Sequence, residues 1–156
     1  MDELLTFTYT ISGDDFTRAG EASSAIKNKL KMLGVNASAI RKVAIAMYEG
    51  EINMVIHANG GEITVTISDT EITMVLADVG PGIEDISKAM QEGYSTAPEE
   101  VRSLGFGAGM GLPNMKKYSD DFHIESVPGK GTTVTMKVLD VYKRQGYAYL
   151  FIFKMC

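Results

Sequence analysis

Four groups of polar residues and glycines stand at spacings that could carry chemistry. Glu49 and Asn53 are four apart, which places both side chains on one face of a helix. A carboxylate there can take a proton from a water or a hydroxyl. An amide oxygen is a hard, neutral donor suited to a Mg²⁺ that keeps phosphates and waters as its other ligands. Asp78, Gly80 and Gly82 directly follow a strand-like run; an aspartate at a strand end can accept from an exocyclic amine such as that of adenine, and glycines let the backbone approach a flat ring. Gly105, Gly107, Gly109 and Gly111 alternate up to Leu112 and open a helix at Pro113. Backbone N–H groups at such a helix start, aided by the helix dipole, suit an anion, and Lys116 and Lys117 add positive charge nearby. Gly129, Gly131 and Thr132 form a turn ahead of the last strand.

Taken singly, these groups leave ordinary alternatives open. The first is equally a polar pair on a solvated helix face, the second a Gly-Pro turn, the fourth a hairpin. The third lacks the Gly-Lys-Ser/Thr ending of a P-loop and does not follow the first strand of a parallel unit, as a dinucleotide fingerprint would. A glycine-rich hinge without a ligand is its remaining alternative.

The elements that must position them are read from hydrophobic periodicity. Leu5, Phe7, Tyr9 and Ile11 alternate, predicting a strand over 3–11. A turn at Gly13-Asp14-Asp15 leads into a helix over 15–33, stopped by Gly34. A second helix runs from Ala37 to Ala58, with Ile40, Ala44, Met47, Tyr48, Ile52 and Val55 as its apolar arc. Glu51 falls inside that arc, with no role legible in the sequence. Strands follow at Ile63–Ser68 and Ile72–Val79, a helical piece at Ile83–Gln91, another at Leu112–Tyr118, and two last strands at Phe122–Val127 and Thr132–Leu139. The stretch 92–106 between the glycine groups reads as a mobile loop. His57 reads as a structural residue at a helix end and His123 as an exposed strand residue. The ten methionines are expected as core filler. The domain is expected to span 1–139. The aromatic tail 140–156 reads as an extra strand, a partner-binding segment, or sequence foreign to the domain.

Composition narrows the classes. The chain has 156 residues, enough for one domain with a real core, and 45% of them are hydrophobic. A net charge of −5 with no dense Lys/Arg block argues against a nucleic-acid partner. One cysteine, Cys156, permits no intramolecular disulfide and suits a reducing compartment. No basic segment followed by an apolar run marks a signal peptide, and no apolar stretch reaches bilayer length, so a cytoplasmic protein with no membrane partner is expected.

In their order along the chain, the four groups resemble the N box and the three glycine boxes of the GHKL ATPase superfamily, which includes gyrase, MutL and the histidine kinases. The resemblance covers nearly all of 3–139. Within the superfamily the chain is most similar to the anti-sigma serine/threonine kinases of the sporulation and stress-response type. Its short lid, Tyr94-Ser95-Thr96-Ala97-Pro98-Glu99 with Arg102-Ser103, and the continuation Asn53-x-x-x-His57-Ala58 resemble that group. Gly50 within the helix, and an additional glycine in 104–111, depart from the pattern.

The resemblance implies a Bergerat-type α/β (α+β) two-layer sandwich. Its single sheet would be mixed and mostly antiparallel, with three helices on one face and ATP between helices and lid, away from the sheet. It implies Glu49 as general base, Asn53 as Mg²⁺ ligand, Asp78 on the adenine and Arg102 near the γ-phosphate. Gly80, Gly82, Ser95, Thr96, Gly105, Gly107, Gly109, Met110, Gly111, Leu112 and Thr132 would complete the nucleotide site. The implied cofactors are ATP and Mg²⁺. The implied partner is a small antagonist protein with a phosphorylatable serine or threonine; a sigma factor and a homodimer are further possible assemblies. An ATP-gated binding switch with little turnover and a detached histidine-kinase catalytic domain are the alternative readings.

Overall fold

A computed structural model describes residues 4–94, 110–139 and 141–142. Strand β1 (Leu5–Ser12) turns its apolar residues inward and its threonines to solvent. Helix α1 spans Glu21–Met32 and helix α2 spans Ala37–His57. Strands β2 (Gly60–Ile67) and β3 (Glu71–Asp78) form a hairpin; the short helices α3 (Ile86–Ala89) and α4 (Gly111–Lys117) follow, then β4 (Asp121–Val127) and β5 (Gly131–Leu139).

The five strands lie in the order β1-β2-β3-β5-β4. Each of the four described pairings is antiparallel, so the expected mixed character has no counterpart among the described residues. One sheet face packs on α1, α2 and α4. The other presents Thr6, Thr8, Thr10, Thr64, Thr66, Thr73, Thr133 and Thr135 in the alternate positions of their strands. The two-layer architecture is therefore as expected. Buried methionines are part of its core: Met47, Met74, Met115 and Met136 are essentially inaccessible. Among the described residues no helix is long and apolar enough to cross a membrane.

Helix α1 begins at Glu21, six residues later than its periodicity predicts. Residues 13–20 turn first, and Gly20 provides no side-chain cap. The cap comes from α2. Glu51 is 1% exposed, and its carboxylate accepts from the backbone N–H groups of Gly20, Ala22 and Ser23 and from the Ser23 hydroxyl. A carboxylate satisfying the first-turn N–H groups also sits favourably against the positive end of the helix dipole. This accounts for an acidic residue inside an apolar arc. At the other end, Gly34 N–H bonds to Lys31 O and Val35 N–H to Leu30 O, the paired bonds of a Schellman stop.

Helix α2 is capped by Asn36, whose side chain accepts from Ala39 N–H at 2.9 Å. Its buried stripe runs through Val43, Met47, Gly50 and Met54. Of the predicted arc, Ile40, Met47, Ile52 and Val55 are buried, whereas Ala44 is half-buried and Tyr48 is 41% exposed. The helix is flanked by α1 and α4 and backed by the sheet, so its buried surface is broader than a single arc. Gly50 lies where α2 meets β3. A Cβ there would overlap Leu76 Cδ2 and stand 3.3 Å from Met115 Sδ. The glycine that departs from the family pattern is thus what lets helix and sheet touch.

Helix α3 is shorter than predicted: it starts only after Asp85, which caps it by accepting from Lys88 N–H, while Ile83 N–H bonds to the Ser126 hydroxyl at 2.7 Å. Past Leu139, Val141 is fully buried and its carbonyl accepts from both Asn36 N–H and Asn36 Nδ2. Packing therefore continues two residues beyond the predicted edge of the domain.

Candidate nucleotide site

A cavity of about 650 Å³ opens between α2, the turn after β3, α3 and the start of α4. That volume suits a drug- or nucleotide-sized ligand. Leu76 and Asp78 of β3 and Thr132 and Val134 of β5 form its floor. The ends of two strands are thus part of the cavity wall. The reason is β3 itself: its inward residues continue the core up to Leu76 and then emerge under the open end of α2.

Glu49, Asn53 and His57, at successive i, i+4 positions, all line the cavity. Glu49 Oε1 accepts from Asn114 Nδ2 of α4 at 3.2 Å, an orienting contact that the sequence did not indicate. Asn53 faces Gly111. A Cβ on residue 111 would stand 2.9 Å from Asn53 Oδ1 and 3.0 Å from Nδ2, so the position tolerates no side chain without displacing the amide. His57 also belongs to the lining, which goes beyond the structural role read from sequence; burial pushes its pKa below the usual histidine value and favours the neutral ring.

Asp78 stands at the end of β3, half-buried. Its Oδ1 accepts from Thr132 N–H at 2.9 Å. Desolvation raises its pKa, opposed by the backbone hydrogen bonds from Thr132 and Gly80. A carboxylate has about four lone-pair sites, so two backbone donors leave capacity for a ligand amine. Gly82 lines the cavity beside Pro81, whereas Gly80 packs against Ala58, where a Cβ would come within 2.8 Å of the alanine methyl. Met110, Gly111 and Leu112 line the α4 side, and buried Thr132 shares a 2.8 Å hydroxyl contact with Ser126.

The structure therefore brings Glu49, Asn53, Asp78, Gly82, Met110, Gly111, Leu112 and Thr132 to one cavity. Ser95, Thr96, Arg102, Gly105, Gly107 and Gly109, with most of the predicted loop 92–106, lie outside the described residues. Lys116 and Lys117 do not line the cavity: both are exposed, and Lys117 Nζ rests 5.5 Å from the Tyr118 ring centroid. Among the described residues the lining lysine is Lys88 of α3, missed because nothing in the sequence ties α3 to the glycine groups. His123 is exposed, 3.0 Å from Glu125, and is not part of the cavity.

An α/β sandwich with a carboxylate–amide pair on its central helix and a strand-end aspartate facing them defines a histidine kinase-like ATPase domain. The model of that family matches residues 14–138, and the chain belongs to it. Within the family it falls with the anti-sigma kinases. It is 35% identical to the anti-sigma F factor of Thermoanaerobacter sp. (strain X514) over 137 residues, covering 85% of this chain and 89% of that one. It is 35% identical to the anti-sigma F factor of Clostridium acetobutylicum over 138 residues, covering 85% and 90%. It is 32% identical to the serine/threonine-protein kinase RsbT of Bacillus subtilis over 112 residues, covering 69% and 78%.

Proposed function

We propose that this chain binds Mg²⁺–ATP in the cavity and transfers the γ-phosphate to a serine or threonine hydroxyl of a small antagonist protein. The supporting observation is the placement of Glu49 and Asn53 on one cavity-facing stripe of α2, with Asp78 on the floor. Asp78, anchored by two backbone donors, accepts from the adenine amine. Glu49, steadied by Asn114, takes the acceptor hydroxyl proton as the hydroxyl oxygen bonds to the γ-phosphorus and ADP departs. Arg102, Ser95, Thr96 and the glycines at 105, 107 and 109 are assigned to the phosphates from sequence alone.

The donor set also fits the metal. Among the described residues no cluster of three or more His, Cys, Asp or Glu could cage an ion. A single amide oxygen from Asn53 is instead what Mg²⁺ needs when phosphates and waters are its other ligands. Bound there, the ion would neutralise phosphate charge. A sigma factor as second partner, a homodimer and a cytoplasmic location belong to the same reading.

The test is γ-labelled ATP with Mg²⁺ and a serine-bearing antagonist protein from the same genome. Acid-stable label on the acceptor is expected. Acid-labile label would indicate phosphohistidine. ATP binding with no transfer to any such antagonist would favour a nucleotide-gated switch.

A further inference from the structure

We infer that Lys88 is a phosphate-binding residue of this cavity, a role that rests on the nucleotide reading above and lies outside the glycine groups that define the family. The cavity is lined by four carboxylates, those of Glu49, Asp78, Glu84 and Asp85. Its described cationic counterweight is Lys88, since burial holds His57 toward the neutral form. A polyphosphate entering an acid-lined cleft meets like-charge repulsion, so a cation at the rim contributes disproportionately to its binding.

Lys88 is built to serve there. It lies on α3, one turn from the Asp85 cap, which accepts from Lys88 N–H at 3.1 Å and fixes the backbone. The side chain is exposed, and among the described residues it makes no ion pair. Its Nζ instead rests 5.6 Å from the Tyr94 ring centroid, and Tyr94 lines the same cavity. An exposed cation–π contact is weaker than a charge-assisted hydrogen bond to phosphate. A lysine on a flexible four-carbon stem can exchange the first for the second without moving the backbone. The Tyr94 ring is thus a resting place for the ammonium when no anion is present.

Calorimetry with adenosine, AMP, ADP and ATP separates this role from a structural one. Lys88→Ala is expected to weaken ATP and ADP about tenfold, the loss of one charge-assisted hydrogen bond, and to leave adenosine unchanged. Lys88→Arg is expected to restore most of the loss, and Lys88→Ala to flatten the salt dependence of ATP binding. ATP affinity unchanged in Lys88→Ala, or adenosine weakened as much as ATP, would overturn the assignment while leaving the nucleotide site intact. A wild-type protein that binds none of the four would overturn the nucleotide reading itself.

Discussion

Glu51 Oε1 receives both the backbone N–H and the hydroxyl of Ser23, at 3.0 and 2.6 Å, across 28 residues of sequence. With Oε2 taking Gly20 and Ala22 N–H, a single side chain of α2 closes the start of α1. Removing it strands several buried donors, each costing about 1–3 kcal/mol. Glu51→Ala is expected to lower unfolding stability by about 3 kcal/mol or more in urea titrations, and Ser23→Ala by about 1 kcal/mol. A Glu51→Ala loss no larger than that of Ser23→Ala would show that water caps the helix equally well.

Asn53→Ala should abolish Mg²⁺-dependent tightening of ATP binding, and Asp78→Asn should weaken binding with or without the metal. Gly111→Ala should resemble Asn53→Ala, because the new methyl would press on the Asn53 amide. Calorimetry at matched Mg²⁺ reads all three. Wild-type affinity in both Asn53→Ala and Asp78→Asn would remove the site assignment.

Glu49→Gln should keep ATP affinity and lose phosphoryl transfer by about 10²–10⁴-fold, the usual worth of a positioned base. Glutamine preserves shape and one acceptor oxygen but takes no proton. Affinity and transfer are measured on the same preparation. Full transfer by the variant would exclude Glu49 as the base.

The strands and the stop of α1 were legible because alternation and a terminal glycine are local signals. The start of α1 was not, because its cap is supplied from Glu51, 28–31 residues away. Glu49, Asn53 and Asp78 were legible because their motifs follow one another along the chain. Asn114 and Lys88 were not: they sit on α4 and α3, whose approach to α2 and the cavity is decided only by tertiary packing. The same packing explains why Lys116 and Lys117, adjacent to the glycine run, face solvent.

The hollow at Gly50 has a metrical consequence. Leu76 fills it from β3, and Met115 closes on it from α4. Gly50 follows Glu49 and precedes Asn53 by less than a turn; Leu76 precedes Asp78 by two residues on the same face of its strand. One interlocked methyl therefore indexes the axial position of α2 against β3. The span from Asp78 to Glu49 and Asn53, across the cavity they line, is gauged at that notch. A side chain at position 50 would have to push the Leu76 tip out of that notch, and the register that sets Asp78 against Glu49 and Asn53 would lose its stop.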